Sequence, residues 1–279
     1  MKLIAESGST KTEWRLIGNN FSKAYSGQGI NPLFLKEELI VKEIEKLNLG
    51  EYLDEINEVH FYAAGLAMEE LKEAVHVLLT KRFKSHTKIF VNDDLLAASR
   101  ALFQNGSGIS CILGTGSNSC LYKDGIIKDK IPALGFILGD EGSGSDIGKR
   151  FINSLLKKDI EEKLRKKILS KHQLSLNDVI LNVYKRPLPN KYLASLSNIV
   201  YEYIDSKDIR ELVSLAFKSF VDKNISKYSQ YKNYEIAFVG SIAYYYREVL
   251  KKVLKEVDIV PSKILKQPIE ELVEYHIKY

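Results

Sequence analysis

Two short loops of small and hydroxyl-bearing residues have the composition of phosphate-binding loops. Their sequences are Gly8-Ser9-Thr10-Lys11-Thr12 and Gly114-Thr115-Gly116-Ser117-Asn118. Phosphate binding needs several backbone N–H groups that converge on one point. Glycine lets the backbone approach the anion, and hydroxyl groups add donors. Each loop alone is also compatible with an ordinary hairpin turn. Neither loop has the Walker A spacing or the G-x-G-x-x-G spacing. In the second loop, Ser119 stands where the third glycine of G-x-G-x-x-G would be.

Two further glycine segments lie next to expected helices. The first is the stretch 139–148, which contains Asp140, Glu141 and Asp146 and leads into a helix. A helix N-terminus attracts anions, so this segment is a third candidate for anion binding. The second is Gly240-Ser241, which lies between a buried strand and a helix.

Several carboxylates lie where strands end. Asp93 and Asp94 follow a buried strand, Glu6 ends the first strand, and Asp140 lies in a glycine-rich turn. Phosphoryl transfer to a hydroxyl needs a carboxylate within hydrogen-bond reach of it, together with Mg²⁺ held through carboxylates and water. Glu6 is the candidate for organising the metal. Aspartate is also a good N-cap, so one member of the Asp93–Asp94 pair is alternatively a cap and the other a solvated side chain.

The elements that would position these residues alternate between strands and helices. Apolar runs predict strands at 2–5, 12–17, 21–26, 59–64, 88–91, 109–113, 119–122 and 235–239. Apolar spacing of three to four predicts helices at 35–49, 68–83, 95–103 and 243–256, with a mostly helical stretch at 146–227. Residues 104–108 form the best linker, and the pattern of strand, small-residue turn and strand restarts after them. These patterns predict an α/β protein with mixed sheets and a weak internal duplication.

Composition limits the other possibilities. A chain of 279 residues favours about two domains, and its 41 basic and 36 acidic residues give a net charge of only +5. No basic stripe interleaved with aromatic residues is present, so we expect no nucleic-acid partner. Without a signal-peptide core or a long apolar run, we expect a cytoplasmic location and no membrane partner. Cys111 and Cys120 could face each other across a hairpin, but both are typical of small apolar strand residues.

Four segments together resemble the BadF/BadG/BcrA/BcrD-type ATPase family, in its N-acetylglucosamine kinase-like branch. Residues 6–14 resemble the family's first phosphate motif and residues 113–118 its second. Residues 135–143 resemble its sugar-side loop, and residues 238–242 its adenosine motif. The segments occur in family order. The stretches 94–102 and 265–276 are similar to the short bacterial form of this branch.

The resemblance implies an actin-like ATPase fold, with two ribonuclease-H-like domains and a cleft between them. The expected domains are residues 1–107 and 108–267, and a C-terminal helix at 268–279 would pack on the first. The implied activity is an ATP-dependent sugar kinase that uses Mg²⁺ and phosphorylates N-acetylglucosamine at the 6-hydroxyl. The implied assembly is a homodimer.

Site roles follow from the same resemblance, residue by residue. Asp94 matches the catalytic base, and Glu6 would hold Mg²⁺ through water. ATP and its phosphates would be bound by nine residues: Gly8, Ser9, Thr10, Lys11, Gly114, Thr115, Gly116, Gly240 and Ser241. Sugar would be bound by Asn31, Ser117, Asn118 and Asp140.

One residue departs from the family pattern. The family has aspartate where this chain has Glu6, and the extra methylene moves the carboxylate by about 1 Å. Three alternatives stay open: a kinase for N-acetylmuramic acid, glucosamine or glucose; a non-catalytic sugar or nucleotide sensor; and an ATPase that activates a reductase. The last would hold an iron–sulfur cluster with cysteines at a subunit interface, whereas Cys111 and Cys120 flank the second loop.

Overall fold

The computed structural model describes residues 1–19 and 21–279. In this part of the chain, ten strands pair into two five-stranded sheets. The strands are β1 Lys2–Ser7, β2 Lys11–Gly18, β3 Phe21–Gln28, β4 Glu58–Ala63, β5 Lys88–Asp93, β6 Gly108–Leu113, β7 Ser117–Lys123, β8 Ile126–Ile131, β9 Ile236–Val239 and β10 Lys263–Leu265.

Twelve α-helices accompany these strands in the described residues. They are α1 Glu37–Glu45, α2 Glu69–Arg82, α3 Asp94–Phe103, α4 Gly135–Leu138, α5 Gly144–Lys157, α6 Glu162–His172, α7 Leu176–Tyr184, α8 Pro189–Glu202, α9 Lys207–Lys223, α10 Ser241–Tyr245, α11 Arg247–Lys255 and α12 Ile269–Lys278. Short 3₁₀ helices lie at Gly50–Glu55, Ile225–Lys227 and Tyr231–Asn233. The predicted α/β class is confirmed.

The chain forms two compact units. Unit 1 contains Met1–Gly106, Asp124–Ile126 and Gln267–Tyr279, and unit 2 contains Ser107–Lys123 and Ile127–Lys266. The C-terminal helix α12 therefore belongs to unit 1, where it packs on α3.

The sheet of unit 1 has the order β3-β2-β1-β4-β5. β1, β2 and β3 pair antiparallel, whereas β1, β4 and β5 run parallel. Parallel strands need crossover connections, and here α1 lies between β3 and β4 and α2 between β4 and β5. Leu3, Ile4 and Ala5 are all buried, as expected for a central strand covered on both faces. Leu3 and Ala5 face the core shared with α1 and α2, while Ile4 faces α3 and α12.

The sheet of unit 2 has the order β8-β7-β6-β9-β10, which repeats the order of unit 1 strand for strand. β6 and β7 pair antiparallel, and β6, β9 and β10 run parallel. The duplication predicted from the strand–turn–strand pattern is thereby confirmed at the level of topology. Helices α5, α8 and α9 supply most of the apolar core beside this sheet.

Some boundaries differ from the sequence predictions. The helix predicted at 243–256 is two helices, since Tyr246 leaves helical geometry and its buried hydroxyl donates to the Ser197 carbonyl at 2.5 Å. The helix predicted at 35–49 ends at Glu45, although Leu47 and Leu49 beyond it are buried. β8 and β10 were not predicted, because β8 carries three charged residues and β10 is only three residues long.

The two cysteines do not face each other. The register of β6 with β7 sets Cys111 opposite Ser119 and Cys120 opposite Ser110. Because side chains alternate along a strand, the two thiols point to opposite faces of the sheet. Both are buried thiols, and burial raises the pKa of Cys111 well above its ordinary value.

Among the helices of residues 1–19 and 21–279, none combines the length and the apolar character that a membrane crossing requires.

Candidate functional site

In unit 1, the parallel register brings three strand ends to one edge of the sheet. Ser7 of β1 pairs in register with Ala63 of β4, which pairs with Asp93 of β5. The residues that follow these strands are therefore neighbours, and they include the first small-residue loop and Asp94. The carboxyl ends of parallel strands are the usual place for ligand sites in α/β sheets.

The first loop is a tight turn between β1 and β2. The Gly8 N–H donates to the Lys11 carbonyl at 3.0 Å, and the Gly29 N–H donates to the Thr10 carbonyl at 3.1 Å. Gly29 lies directly against the loop, because a Cβ there would come within 2.3 Å of the Gly8 carbonyl oxygen. A larger residue at position 29 would displace the loop backbone.

Two buried hydroxyl residues anchor this loop. Ser7 Oγ lies 2.6 Å from Thr12 Oγ1 and accepts from the Ile30 N–H at 2.7 Å. Thr12 Oγ1 donates to the Gln28 carbonyl at 2.7 Å. Ser7 and Gly29 were missed as part of the site, although Ser7 stands inside the motif and Gly29 immediately precedes the Ile30-Asn31 pair.

Lys11 contributes to the loop through its backbone. Its side chain is largely exposed and forms an ion pair with Glu13 on the same strand. Glu13 is also paired with Arg15 at 3.3 Å.

Asn31, predicted to bind sugar, touches the first loop. Its Nδ2 donates to Ser9 Oγ at 3.2 Å, and its Oδ1 accepts from the Leu33 N–H at 3.1 Å. Gly65, which follows β4, has a φ of 84° and leaves room for Asn31, since a Cβ there would lie 2.1 Å from Asn31 Oδ1. The structure thus places the Asn31 amide between the first loop and the end of β4.

The adjacent aspartates have different positions. Asp93 is the N-cap of α3, and its Oδ1 accepts from the Leu96 N–H at 2.9 Å. The capping alternative weighed for this pair therefore describes Asp93. Asp94 is the first residue of α3 and is partly exposed.

Glu6 and Asp94 lie close enough to repel each other. Burial is the main cause that raises the pKa of Glu6 to about 8, and the charges of Asp94 and then Glu13 raise it further. The described residues contain no group of three or more His, Cys, Asp or Glu side chains arranged as a complete metal site. A repelled carboxylate beside the first loop nevertheless fits Mg²⁺, which keeps several waters and takes few protein ligands.

In unit 2, the second loop is shorter than predicted. It spans Gly114 to Gly116, because Ser117 and Asn118 are the first residues of β7. The Gly114 N–H donates to the Gly116 carbonyl at 2.9 Å. Ser117 is buried, and Asn118 Oδ1 accepts from the Ser119 N–H at 2.9 Å.

The N-terminus of α5 supports this loop and is not an open anion site. The N–H groups of Gly144 and Ser145 donate to the carbonyls of Gly114 at 2.8 Å and Thr115 at 3.1 Å. Ser143 Oγ caps the helix by accepting from the Asp146 N–H at 3.1 Å. The anion binding considered for segment 139–148 is therefore corrected: these donors fix the second loop.

Asp140 packs directly on the second loop. Its Oδ1 accepts from the Ser117 N–H at 3.1 Å, and a Cβ at Gly116 would lie 2.9 Å from its Oδ2. Burial raises the pKa of Asp140 to about 6, although the Ser117 hydrogen bond works in the opposite direction. The second loop and the Asp140 carboxylate thus form one cluster.

Gly240 completes the cluster of unit 2. Its N–H donates to the Leu265 carbonyl at 2.9 Å, so the ends of β9 and β10 are joined. Its φ is 124°, and a Cβ would lie 2.2 Å from the Leu113 carbonyl oxygen. Only glycine permits the turn to lie this close to the second loop. Ser241, next along the chain, is exposed at the start of α10.

Comparison with known proteins gives the class and then the family. No protein-family profile matches the chain. The fold is that of the two-domain actin-like ATPases and sugar kinases. A ROK-family glucokinase from Streptomyces griseus, solved with glucose and AMPPNP, is similar with a TM-score of 0.59 at 12% identity, over 98% of this chain and 97% of that one.

Two relatives are similar in sequence as well. A candidate N-acetylglucosamine kinase from Porphyromonas gingivalis is 37% identical with a TM-score of 0.91, over 100% of this chain and 99% of that structure. The N-acetylmuramic acid/N-acetylglucosamine kinase of Clostridium acetobutylicum is 30% identical over 170 residues, which is 59% of this chain and 54% of that protein. This match thus spans about half the length of the curated relative. The chain belongs to the N-acetylglucosamine kinase-like family of sugar kinases, which are phosphotransferases.

Proposed function

We propose that this protein is an ATP-dependent kinase that phosphorylates N-acetylglucosamine at its 6-hydroxyl. The observation that carries the proposal is the edge of the unit 1 sheet. There, a loop of small and hydroxyl-bearing residues, a polar side chain in contact with it and a helix that begins with a carboxylate lie at one edge of the sheet. The last two are Asn31, bonded to Ser9, and Asp94. A phosphate loop, a sugar ligand and a base are the parts this reaction needs.

The phosphates of ATP are proposed to bind to backbone N–H groups. Residues 8–12 and residues 114–116 are proposed to provide them, and the Thr10 hydroxyl to add a donor. Gly240 and Ser241 are proposed to contact the adenosine, since Gly240 lies against the second loop. Glu6 would hold Mg²⁺ through water, and the ion would neutralise charge on the transferring phosphoryl group.

The sugar is proposed to be held by four polar residues, and Asp94 is its base. These residues are Asn31, Ser117, Asn118 and Asp140. Asp94 takes the proton of the attacking 6-hydroxyl, whose oxygen forms the new bond to the γ-phosphorus while the bond to the β,γ-bridging oxygen breaks and ADP leaves. Positioning and charge stabilisation would supply most of the rate, as in other phosphoryl transfers.

A second candidate substrate is N-acetylmuramic acid, and glucosamine and glucose are further ones. The Clostridium relative is named for both N-acetylated sugars, which favours N-acetylmuramic acid over glucosamine and glucose as the second candidate. A sensor that binds sugar without turnover is the rival of a different class, and it rests on Glu6 in place of aspartate. The reductase-activator reading loses support, because Cys111 and Cys120 are both buried.

ATP turnover with and without sugar separates these possibilities. The purified protein is incubated with Mg²⁺-ATP and each of the four sugars, and ADP release and the mass of the sugar product are measured. The proposal predicts sugar-dependent ADP release and a phosphorylated amino sugar. Sugar-independent turnover would favour the activator class, and binding without turnover would favour the sensor.

Location and assembly are proposed on the resemblance and the chemistry. A cytoplasmic location fits an enzyme that consumes ATP, and a homodimer is the assembly that the family resemblance implies. Sedimentation of the purified chain at several concentrations measures the number of subunits directly.

A further inference from the structure

A buried polar network lies behind the Glu6 edge of unit 1, where β4, α3 and α12 meet. Its centre is the Tyr62 hydroxyl of β4, which lies 2.9 Å from His276 Nε2 of α12 and accepts a hydrogen bond from Arg100 Nη1 of α3. Tyr62 has no exposed surface, and His276 is only 4% exposed. One hydroxyl group thus joins three secondary-structure elements.

The direction of the Arg100–Tyr62 hydrogen bond follows from the groups involved, and that of the Tyr62–His276 bond depends on the histidine tautomer. A guanidinium can only donate, and a tyrosine hydroxyl has a single proton. Arg100 donates to the Tyr62 oxygen, and in the arrangement proposed below the Tyr62 proton is directed at His276 Nε2, which places the His276 proton on Nδ1. Burial lowers the pKa of His276 to about 2 and raises the pKa of Tyr62 to about 12, so both groups are neutral.

Further contacts hold α12 in this arrangement. Lys2 Nζ donates to the His276 carbonyl at 2.8 Å, and Gln104 Nε2 donates to the Glu271 carbonyl at 3.2 Å. The His60 ring packs on His276 with centroids 3.9 Å apart. α12 is therefore fixed to β1, β4 and the end of α3 by polar contacts as well as by its apolar face.

The network reaches the residues of the candidate site through two elements. Tyr62 is the register partner of Glu6 on the neighbouring strand β1. Arg100 stands six residues after Asp94 on the same helix, a rise of about 9 Å at 1.5 Å per residue. A hydrogen bond between Tyr62 and Arg100 therefore restrains the position of α3 along its own axis, and with it the position of Asp94 relative to Glu6.

We propose that Tyr62 is a positioning residue, which fixes α3 through Arg100 and His276 so that the Asp94 carboxylate is held at the reacting hydroxyl. This inference rests on the proposed function, since it concerns the same base. It assigns to the C-terminal helix a part in the reaction, although α12 contributes no residue to the candidate site.

Tyr62→Phe is the direct test, because it removes the hydroxyl and keeps the ring. Sub-ångström displacement of a base is costly, so kcat should fall on the order of tenfold while KM for ATP stays within about twofold. Tyr25→Phe is the matched control, since Tyr25 lies in the same sheet and its buried hydroxyl has no hydrogen-bond partner in the described residues. Its kcat should equal that of the wild type.

His276 provides a rescue pair that separates positioning from packing. His276→Gln places a carbonyl oxygen near the position of Nε2 and should keep most of kcat, whereas His276→Leu removes the acceptor and should lose about as much as Tyr62→Phe. If Tyr62→Phe and His276→Leu lower the melting temperature but leave kcat unchanged, the network is structural only and the proposal is wrong.

One readout does not depend on activity. ¹⁵N NMR of the wild-type histidines should show a neutral His276 with its proton on Nδ1, a signal that Tyr62→Phe shifts. A proton on Nε2 of His276 would show that Tyr62 does not donate to it and would overturn the proposed network even if the enzyme is active. If no sugar is phosphorylated by the wild type, the proposed function fails, and the NMR result still decides whether the hydrogen-bond network of Arg100, Tyr62 and His276 exists.

Discussion

Replacing Glu6 by glutamine should stabilise the free protein at neutral pH. Glu6 is the last residue but one of β1, opposite Glu13 in the register and close to Asp94. Burial and these two charges disfavour its ionised form and raise its pKa to about 8 from an ordinary value of 4.5. Glutamine has nearly the same shape and carries no charge at any pH.

The size of the effect follows from proton linkage. Between pH 4.5 and 8 the folded protein keeps the Glu6 proton and the unfolded chain releases it, so the free energy of unfolding falls as pH rises. The slope is about 1.4 kcal/mol per pH unit. Glu6→Gln should thus gain nothing at pH 4.5 and about 2–3 kcal/mol at pH 7, a little below the full linkage value because Glu6 retains some solvent contact.

The assay is urea denaturation of both proteins at several pH values, followed by tryptophan fluorescence. Trp14 is the single tryptophan of the chain, and it is buried in the core of unit 1, so the signal reports on the unit that contains Glu6. Glu51→Gln, at an exposed position in the same unit, serves as the control. A stability difference for Glu6→Gln that does not grow between pH 5 and 8 would refute the reasoning.

Three further predictions concern the loops. Gly240→Ala should destabilise unit 2 by about 2–4 kcal/mol, because its φ is 124° and the new Cβ would lie 2.2 Å from the Leu113 carbonyl oxygen; thermal unfolding measures this. Gly29→Ala should raise KM for ATP on the order of tenfold, since the new Cβ would push on the Gly8 carbonyl 2.3 Å away; steady-state kinetics measures this. KM for the sugar should rise about tenfold per pH unit below pH 6, where Asp140 takes up a proton, and Asp140→Asn should remove this dependence.

Each of these has a contradicting outcome. Gly135→Ala is the control for Gly240, since Gly135 also has a positive φ of 72° but has open space around it; equal losses in both variants would show that the contact with the second loop is unimportant. An unchanged KM for ATP in Gly29→Ala would remove the first loop from the nucleotide site. A pH dependence that persists in Asp140→Asn would belong to another group.

Local patterns predicted the strands that carry the loops. The first loop lies between β1 and β2 and the second between β6 and β7, as the apolar runs indicated. The restart after residue 108 predicted that the second half opens like the first, and the two sheets have the same strand order. These features depend on neighbouring residues along the chain, so the sequence pattern contains them.

Contacts between distant residues were not accessible in the same way. Tyr62 and His276 are separated by 214 positions, and neither has a pattern that distinguishes it from an ordinary buried aromatic residue. The role of α5 in fixing the second loop also depends on tertiary structure. A capped, glycine-rich helix start has the same sequence pattern whether its N–H groups donate to an anion or to the carbonyls of Gly114 and Thr115. β8 was missed since an edge strand needs no apolar run.

Phosphoryl transfer by the wild type and by Asp94→Asn tests the central claim most directly. ³¹P NMR of the protein with Mg²⁺-ATP and N-acetylglucosamine should show a sugar 6-phosphate and ADP for the wild type. Asp94→Asn should lose at least about a hundredfold in rate, as expected for a general base, while its affinity for ADP is unchanged. Wild-type protein that forms no sugar phosphate, or an Asp94→Asn variant that forms it at the normal rate, would contradict the account.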